Sequence, residues 1–136
     1  VADLLEETVS SLATQAAERG VVIHKQFESF AIRADLRQMN ELCMNLIGNA
    51  VQYTEQGGQI TIAADTDKIW IENSCTPLTE EQLAYIYEPF YRVDDTRAAS
   101  GGNGLGLYVV RELLKKEGFR YVFEPVEDGM RFTIFL

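Results

Sequence analysis

The stretch DLRQMNELCMNLIGNAVQYTEQGGQITIAADTDKIWIEN, residues 35–73, decides the architecture. Its first half places Leu36, Met39, Leu42, Cys43, Leu46, Ile47, Ala50 and Val51 at three- and four-residue spacing, the wide apolar face of a long helix. Asp35 stands where a side-chain oxygen can cap that helix, and Gln56-Gly57-Gly58 breaks it. Two β-type runs follow, Ile60–Ala64 and Ile69–Glu72, separated by the polar turn Asp65-Thr66-Asp67-Lys68, which predicts an antiparallel hairpin. A helix followed by a hairpin argues against a doubly wound parallel sheet.

Working outward, Leu4, Leu5, Val9, Leu12 and Ala16 predict a helix from Asp3 to about Arg19, ended by Gly20. Val21 to Phe27 is a β-branched run, followed by the short apolar stretch Phe30 to Ile32. Thr79-Glu80-Glu81-Gln82 ahead of Leu83 has capping-box chemistry, and Pro89 marks the end of that short helix. Residues Val93 to Gly104 are polar, small and glycine-rich without periodicity, the composition of a mobile loop. Helical spacing resumes from Leu105 to about Glu117 and stops at Gly118. Tyr121–Phe123 and Met130–Leu136 read as two closing strands around Glu127-Asp128-Gly129. Grouped helices and two hairpins predict an α+β fold, a two-layer α/β sandwich with a mixed, mostly antiparallel sheet. Residues 1–136 read as one domain.

Composition narrows the function. Hydrophobic residues make up 46% of 136, enough for a core and inconsistent with disorder. No apolar run reaches the roughly 18 residues of a membrane-spanning helix. Val1 opens directly on a helical pattern, so the expectation is a piece of a longer parent. Twelve basic against twenty-one acidic residues give a net charge of −9, which repels nucleic acid and anionic lipid. Phosphate ligands remain compatible, because backbone amides and Mg²⁺ act locally. Two distant cysteines, Cys43 and Cys75, suit a reduced cytoplasmic setting, and a single histidine without CxxC or HExxH gives no structural metal site.

Three constellations can carry chemistry. Asn45 and Asn49 stand four residues apart, on one helical face. Asparagine is a poor interior helix residue, and carboxamide oxygens are acceptable ligands for a hard cation. By itself the pair reads first as a polar helix face, or as side chains that satisfy a neighbouring loop. Gly101-Gly102-Asn103-Gly104-Leu105-Gly106-Leu107 opens a helix, where close backbone approach, free amides and the helix dipole suit phosphate. No lysine follows those glycines and no strand precedes them, which excludes both a P-loop and a dinucleotide fingerprint. Tyr87-Glu88-Pro89-Phe90-Tyr91-Arg92 offers aromatics to anchor the base of a lid and an arginine for phosphate, or simply a packed helix end.

The order of these features resembles the ATP-binding domain of sensor histidine kinases, in the superfamily shared with gyrase, Hsp90 and the MutL mismatch-repair ATPases. Asn45–Tyr53 resembles the N box, Tyr87–Arg92 the F box and Gly102–Leu107 the G2 box. The likeness covers essentially the whole chain and implies the Bergerat ATP-binding fold, with three helices on one face of the sheet. It implies that Asn49, assisted by Asn45, coordinates the Mg²⁺ that bridges the ATP phosphates, and that Tyr53 packs on the adenine. Arg92 and the segment Gly102, Asn103, Gly104, Leu105, Gly106 and Leu107 would contact phosphates, with Phe90, Leu78, Gln52 and Asn73 completing the ATP site. Asn45 and Arg92 are the implied catalytic residues, and Val93–Asn103 the implied lid.

The ATP-hydrolysing relatives place a glutamate base where this chain has Asn45. An amide cannot take a proton, which suits transfer to a histidine rather than to water. Two positions depart from the family pattern. The first glycine box, normally Asp-x-Gly-x-Gly, here reads Asn73-Ser74-Cys75-Thr76-Pro77, and a neutral in place of a charge-assisted hydrogen bond costs about 1 kcal/mol. Gln52 stands where many relatives carry a basic residue. His24, in a strand-like context, is expected at a sheet surface and not as phosphoacceptor. The resemblance further implies a monomeric fragment of a homodimeric parent anchored at the membrane with this part in the cytoplasm. Its partners would be the parent's own dimerisation and histidine-phosphotransfer domain and a response regulator. The competing expectation is a non-catalytic regulatory module with a degenerate first glycine box.

Overall fold

The computed structural model describes residues 1–89 and 106–136. Nine elements follow in chain order: α1 (Ala2–Glu18), β1 (Val22–Phe27), α2 (Leu36–Tyr53), β2 (Gln59–Ala64), β3 (Lys68–Ser74), α3 (Glu80–Tyr85), α4 (Gly106–Glu117), β4 (Arg120–Val126) and β5 (Gly129–Phe135). The turn chemistry foreseen in the sequence is in place. Asp35 Oδ1 accepts the Gln38 amide at 3.1 Å and caps α2. Thr79 and Gln82 exchange the two bonds of a capping box at α3, 3.1 and 2.9 Å long. Asp65 Oδ1 accepts the amides of Asp67 and Lys68 at 2.8 and 3.0 Å, and these two bonds hold its carboxyl below the usual carboxylate range. Gly20, with φ at +68°, ends α1 in the left-handed conformation that glycine adopts without strain.

The strands form one sheet in the order β1-β2-β3-β5-β4. β1 and β2 run parallel, with α2 as their crossover, whereas all other neighbours are antiparallel. That one parallel pair makes the sheet mixed. β5 inserts between β3 and β4, so the two sequence-local hairpins become joined along the β3–β5 seam.

Side-chain alternation divides the sheet into two faces. Ile60, Ile62, Ile69, Ile71, Phe132 and Ile134 point one way and form a single buried cluster with Leu5, Val9 and Leu12 of α1. The same cluster takes in Met39, Leu42, Cys43, Leu46, Ile47, Ala50 and Val51 of α2 and Leu107, Val110 and Leu114 of α4. Three helices therefore cover one face, as expected. Each fully buried Leu or Ile contributes about 1.5–3 kcal/mol through removal from water. The other face is open and partly polar: Arg131 lies 5.0 Å above the Trp70 ring and bonds Glu72 at 2.8 Å. Phe30 to Ile32 forms no strand. Its apolar side chains instead pack on the edge of the core, where an irregular segment suffices. Within the described residues no helix is long and apolar enough to cross a membrane.

Candidate functional site

α2 carries two kinds of surface. Seven apolar side chains are buried, and the flank bearing Asn45, Asn49, Gln52 and Tyr53 is half-buried. Asn45 Nδ2 donates to the Glu41 carbonyl one turn earlier at 2.8 Å. That bond anchors the amide and leaves the oxygen as its available acceptor. Opposite this flank lies the start of α4. A Cβ built on Gly106 would sit 3.8 Å from the Asn45 carbonyl and 3.9 Å from Asn49 Oδ1, ordinary contact distances. The fold thus brings the asparagine pair and the end of the glycine-rich segment, some sixty positions apart, to one place. α4 rests there because Leu107, Val110 and Leu114 form a buried stripe.

The dipole of α4 favours an anion towards its N-terminal end, and an amide oxygen on α2 lies beside that end. Among the described residues no group of three or more His, Cys, Asp or Glu could hold a metal. The asparagine oxygens are of a type that a hard cation such as Mg²⁺ accepts.

Other expected residues gather nearby or apart. The Glu55 amide donates to the Ser74 carbonyl at 3.1 Å, so the helix end bearing Gln52 and Tyr53 stands beside the strand end bearing Asn73. Asn73 is 8% exposed and lies between Ile60 on β2 and Met130 on β5. Leu78 is half-buried, its amide donating to Met130 Sδ at 3.4 Å. Leu107 is only 6% exposed and its side chain belongs to the core, which leaves its backbone alone to face a ligand. Phe90, Arg92, Gly102, Asn103, Gly104 and Leu105 lie outside the described residues, as does the expected loop from Val93. His24 is exposed on the edge strand β1, as expected.

Sequence reasoning did not find the close approach of Gly129 to Asn73. A Cβ at 129 would collide with the Asn73 carbonyl, and only the β3–β5 register reveals this. Nor did it single out Arg111, whose guanidinium lies 5.6 Å from the centroid of the Tyr87 ring. A cavity of about 310 Å³ opens around Gly57–Gln59, Ser74 and Gly129. Glu55, Glu72, Glu127 and Asp128 line it, and neither Asn45 nor Asn49 does. Asn73 lines it too, but four carboxylates repel polyphosphate, so this cavity does not suit the phosphates of a nucleotide.

A five-stranded, mostly antiparallel sheet covered on one face by three helices defines the class, a two-layer α+β sandwich. Comparison gives the family: residues 34–136 match the model of the histidine kinase-, DNA gyrase B- and HSP90-like ATPases, and the chain belongs to that family. Sensor histidine protein kinase HK06 of Streptococcus pneumoniae is 31% identical over 137 residues, covering 100% of this chain and 31% of that protein. Sensor histidine kinase CusS of Escherichia coli is 28% identical over 141 residues, covering 100% and 29%. The chain thus spans under a third of either relative. Among solved structures, the nucleotide-free catalytic domain of histidine kinase ThkA superposes with a TM-score of 0.84 at 22% identity, covering 100% of this chain and 91% of that one.

Proposed function

We propose that the chain is the catalytic, ATP-binding domain of a two-component sensor histidine kinase. It binds Mg-ATP and passes the γ-phosphate to a histidine on a separate dimerisation domain, for relay to a response regulator. The observation that carries this reading is Gly106 of α4 set against Asn45 and Asn49 of α2. The sensor kinases HK06 and CusS, similar along the whole chain, support it.

In this reading Asn49, with Asn45, holds Mg²⁺, which on binding offsets the phosphate charges. The amides of Gly106 and Leu107 face the phosphates, together with Arg92, Gly102, Asn103, Gly104 and Leu105. Tyr53, Asn73, Leu78, Gln52 and Phe90 enclose the rest of the nucleotide. Asn45 holds no exchangeable base at the γ-phosphate, so attack by water is slow and the reaction waits for a nucleophile from outside the chain. The chain acts on the cytoplasmic side of the membrane, alone as a monomer and in its parent as half of a homodimer. His24, exposed on a β-strand, is not the acceptor.

Titration with ADP and a non-hydrolysable ATP analogue, with and without Mg²⁺, tests this. Mg²⁺-dependent micromolar binding that Asn49→Ala loses is the expected result. A folded chain that binds no nucleotide at millimolar concentration would return the domain to a regulatory role through protein contacts.

A further inference from the structure

α4 is seated by a single stripe of core residues, Leu107, Val110 and Leu114. Such a stripe fixes which side of the helix faces the core and sets its rotation about its own axis only coarsely. Any residue that grips α4 off the stripe therefore controls where its N-terminal amides point. Arg111 lies next to Val110 in sequence and about 100° further round the helix. It is half-buried, and its Nε is buried without a hydrogen-bond partner. Among the described residues its ion-pair partner is Glu112 on the same helix, at 3.7 Å.

What locates the guanidinium is an aromatic ring. Arg111 lies 5.6 Å from the centroid of Tyr87, within range of a cation–π attraction. Tyr87 meets Tyr121 of β4 edge-on at 5.9 Å, and Tyr121 stacks on Phe132 at 5.7 Å with the rings 4° from parallel. Phe132 is part of the central core. A continuous row thus runs from the sheet through Tyr121 and Tyr87 to the flank of α4. Burial, aided by Tyr121, raises the Tyr87 hydroxyl above its ordinary range, so the ring stays neutral and keeps the electron-rich face that the guanidinium meets. Gly106, against Asn49, is five residues ahead of Arg111, about 7.5 Å along the axis.

We infer that Tyr87 and Arg111 are positioning residues, which set the roll of α4 and thereby aim its N-terminal amides at the phosphates of a bound nucleotide. The inference rests on the nucleotide-binding reading above. It assigns these two residues to phosphate alignment and not to recognition of the base.

The experiment measures the affinity of this chain for Mg-ADP and for adenosine, which lacks phosphate, together with thermal unfolding. The variants are Arg111→Ala, Tyr87→Leu, Arg111→Lys and Tyr87→Phe. Loss of the cation or of the ring weakens Mg-ADP about two- to fivefold, the size of one cation–π contact, and leaves adenosine binding unchanged. Arg111→Lys and Tyr87→Phe, which keep the cation and the ring, restore most of the loss. Equal weakening of both ligands, or unchanged Mg-ADP affinity in Arg111→Ala and Tyr87→Leu, overturns the positioning role while nucleotide binding stands. A folded wild-type chain that binds neither ligand overturns the nucleotide reading and this role with it.

Discussion

The two sides of α2 differ in what holds them. Its inner side is closed on every flank by α1, α4 and the sheet, and each of its seven apolar residues is almost fully buried. Its outer flank bears Asn45, Asn49, Gln52 and Tyr53, all half-buried. One side is stabilised by packing, and the other contributes less to it and carries polar side chains that are only half-buried. The lesson is that a single helix can separate folding from ligand chemistry by the angle around its axis, with neither property constraining the other strongly.

Breaking the inner side has the largest effect. Ile47 is 0% exposed, and Ile47→Ala is expected to cost about 2–5 kcal/mol in chemical denaturation through the cavity it leaves. A cost under 1 kcal/mol would mean that the inner side tolerates voids. The outer flank answers differently. Asn49→Ala is expected to change stability by no more than about 0.5 kcal/mol, while nucleotide affinity falls at least tenfold, about 1.4 kcal/mol. If stability fell as much as affinity, the division between the sides would be wrong.

The end of the helix belongs to neither side. Asp35→Ala removes the side chain that accepts the Gln38 amide and is expected to lower stability by about 1 kcal/mol, without altering nucleotide affinity. The smallest effect belongs to the exposed β2–β3 turn. The Asp65 carboxyl titrates below its unfolded value of 3.8 because it accepts two amides, so it stabilises the fold at higher pH and loses that contribution as pH falls through its folded value. Asp65→Asn should therefore lower stability slightly at neutral pH, leave the most acidic region nearly unchanged and so flatten the acid limb of a stability–pH profile. The two cysteines need no test of this kind to be told apart: burial pushes the Cys43 thiol up to about 12, whereas Cys75 is half-buried in the turn after β3.

Periodicity made α2, the β2–β3 hairpin and the caps at Asp35 and Thr79 readable, because those signals are local. The asparagine pair was readable for the same reason: four residues apart on a helix means one flank. What the sequence could not reveal depends on pairing at a distance. That Asn73 lies against Gly129 follows from the antiparallel register of β3 with β5. That Leu107 turns its side chain into the core follows from the seating of α4, although its place in the motif suggested a ligand contact. Tyr87 and Arg111 carry no local signal for each other, since a ring and a guanidinium on separate elements meet only in three dimensions.

The insertion of β5 between β3 and β4 has a consequence for the chain as it is made. β3 pairs early with β2, its neighbour in sequence, but its second edge waits for residues 129–135. Until those residues have left the ribosome, the middle of the sheet presents an unpaired strand edge. The flank of α2 can take shape early, whereas Asn73 acquires its Met130 neighbour only once β5 is in place. Site assembly therefore waits for β5, and a nascent chain stalled short of β5 would be an aggregation-prone intermediate without a complete site.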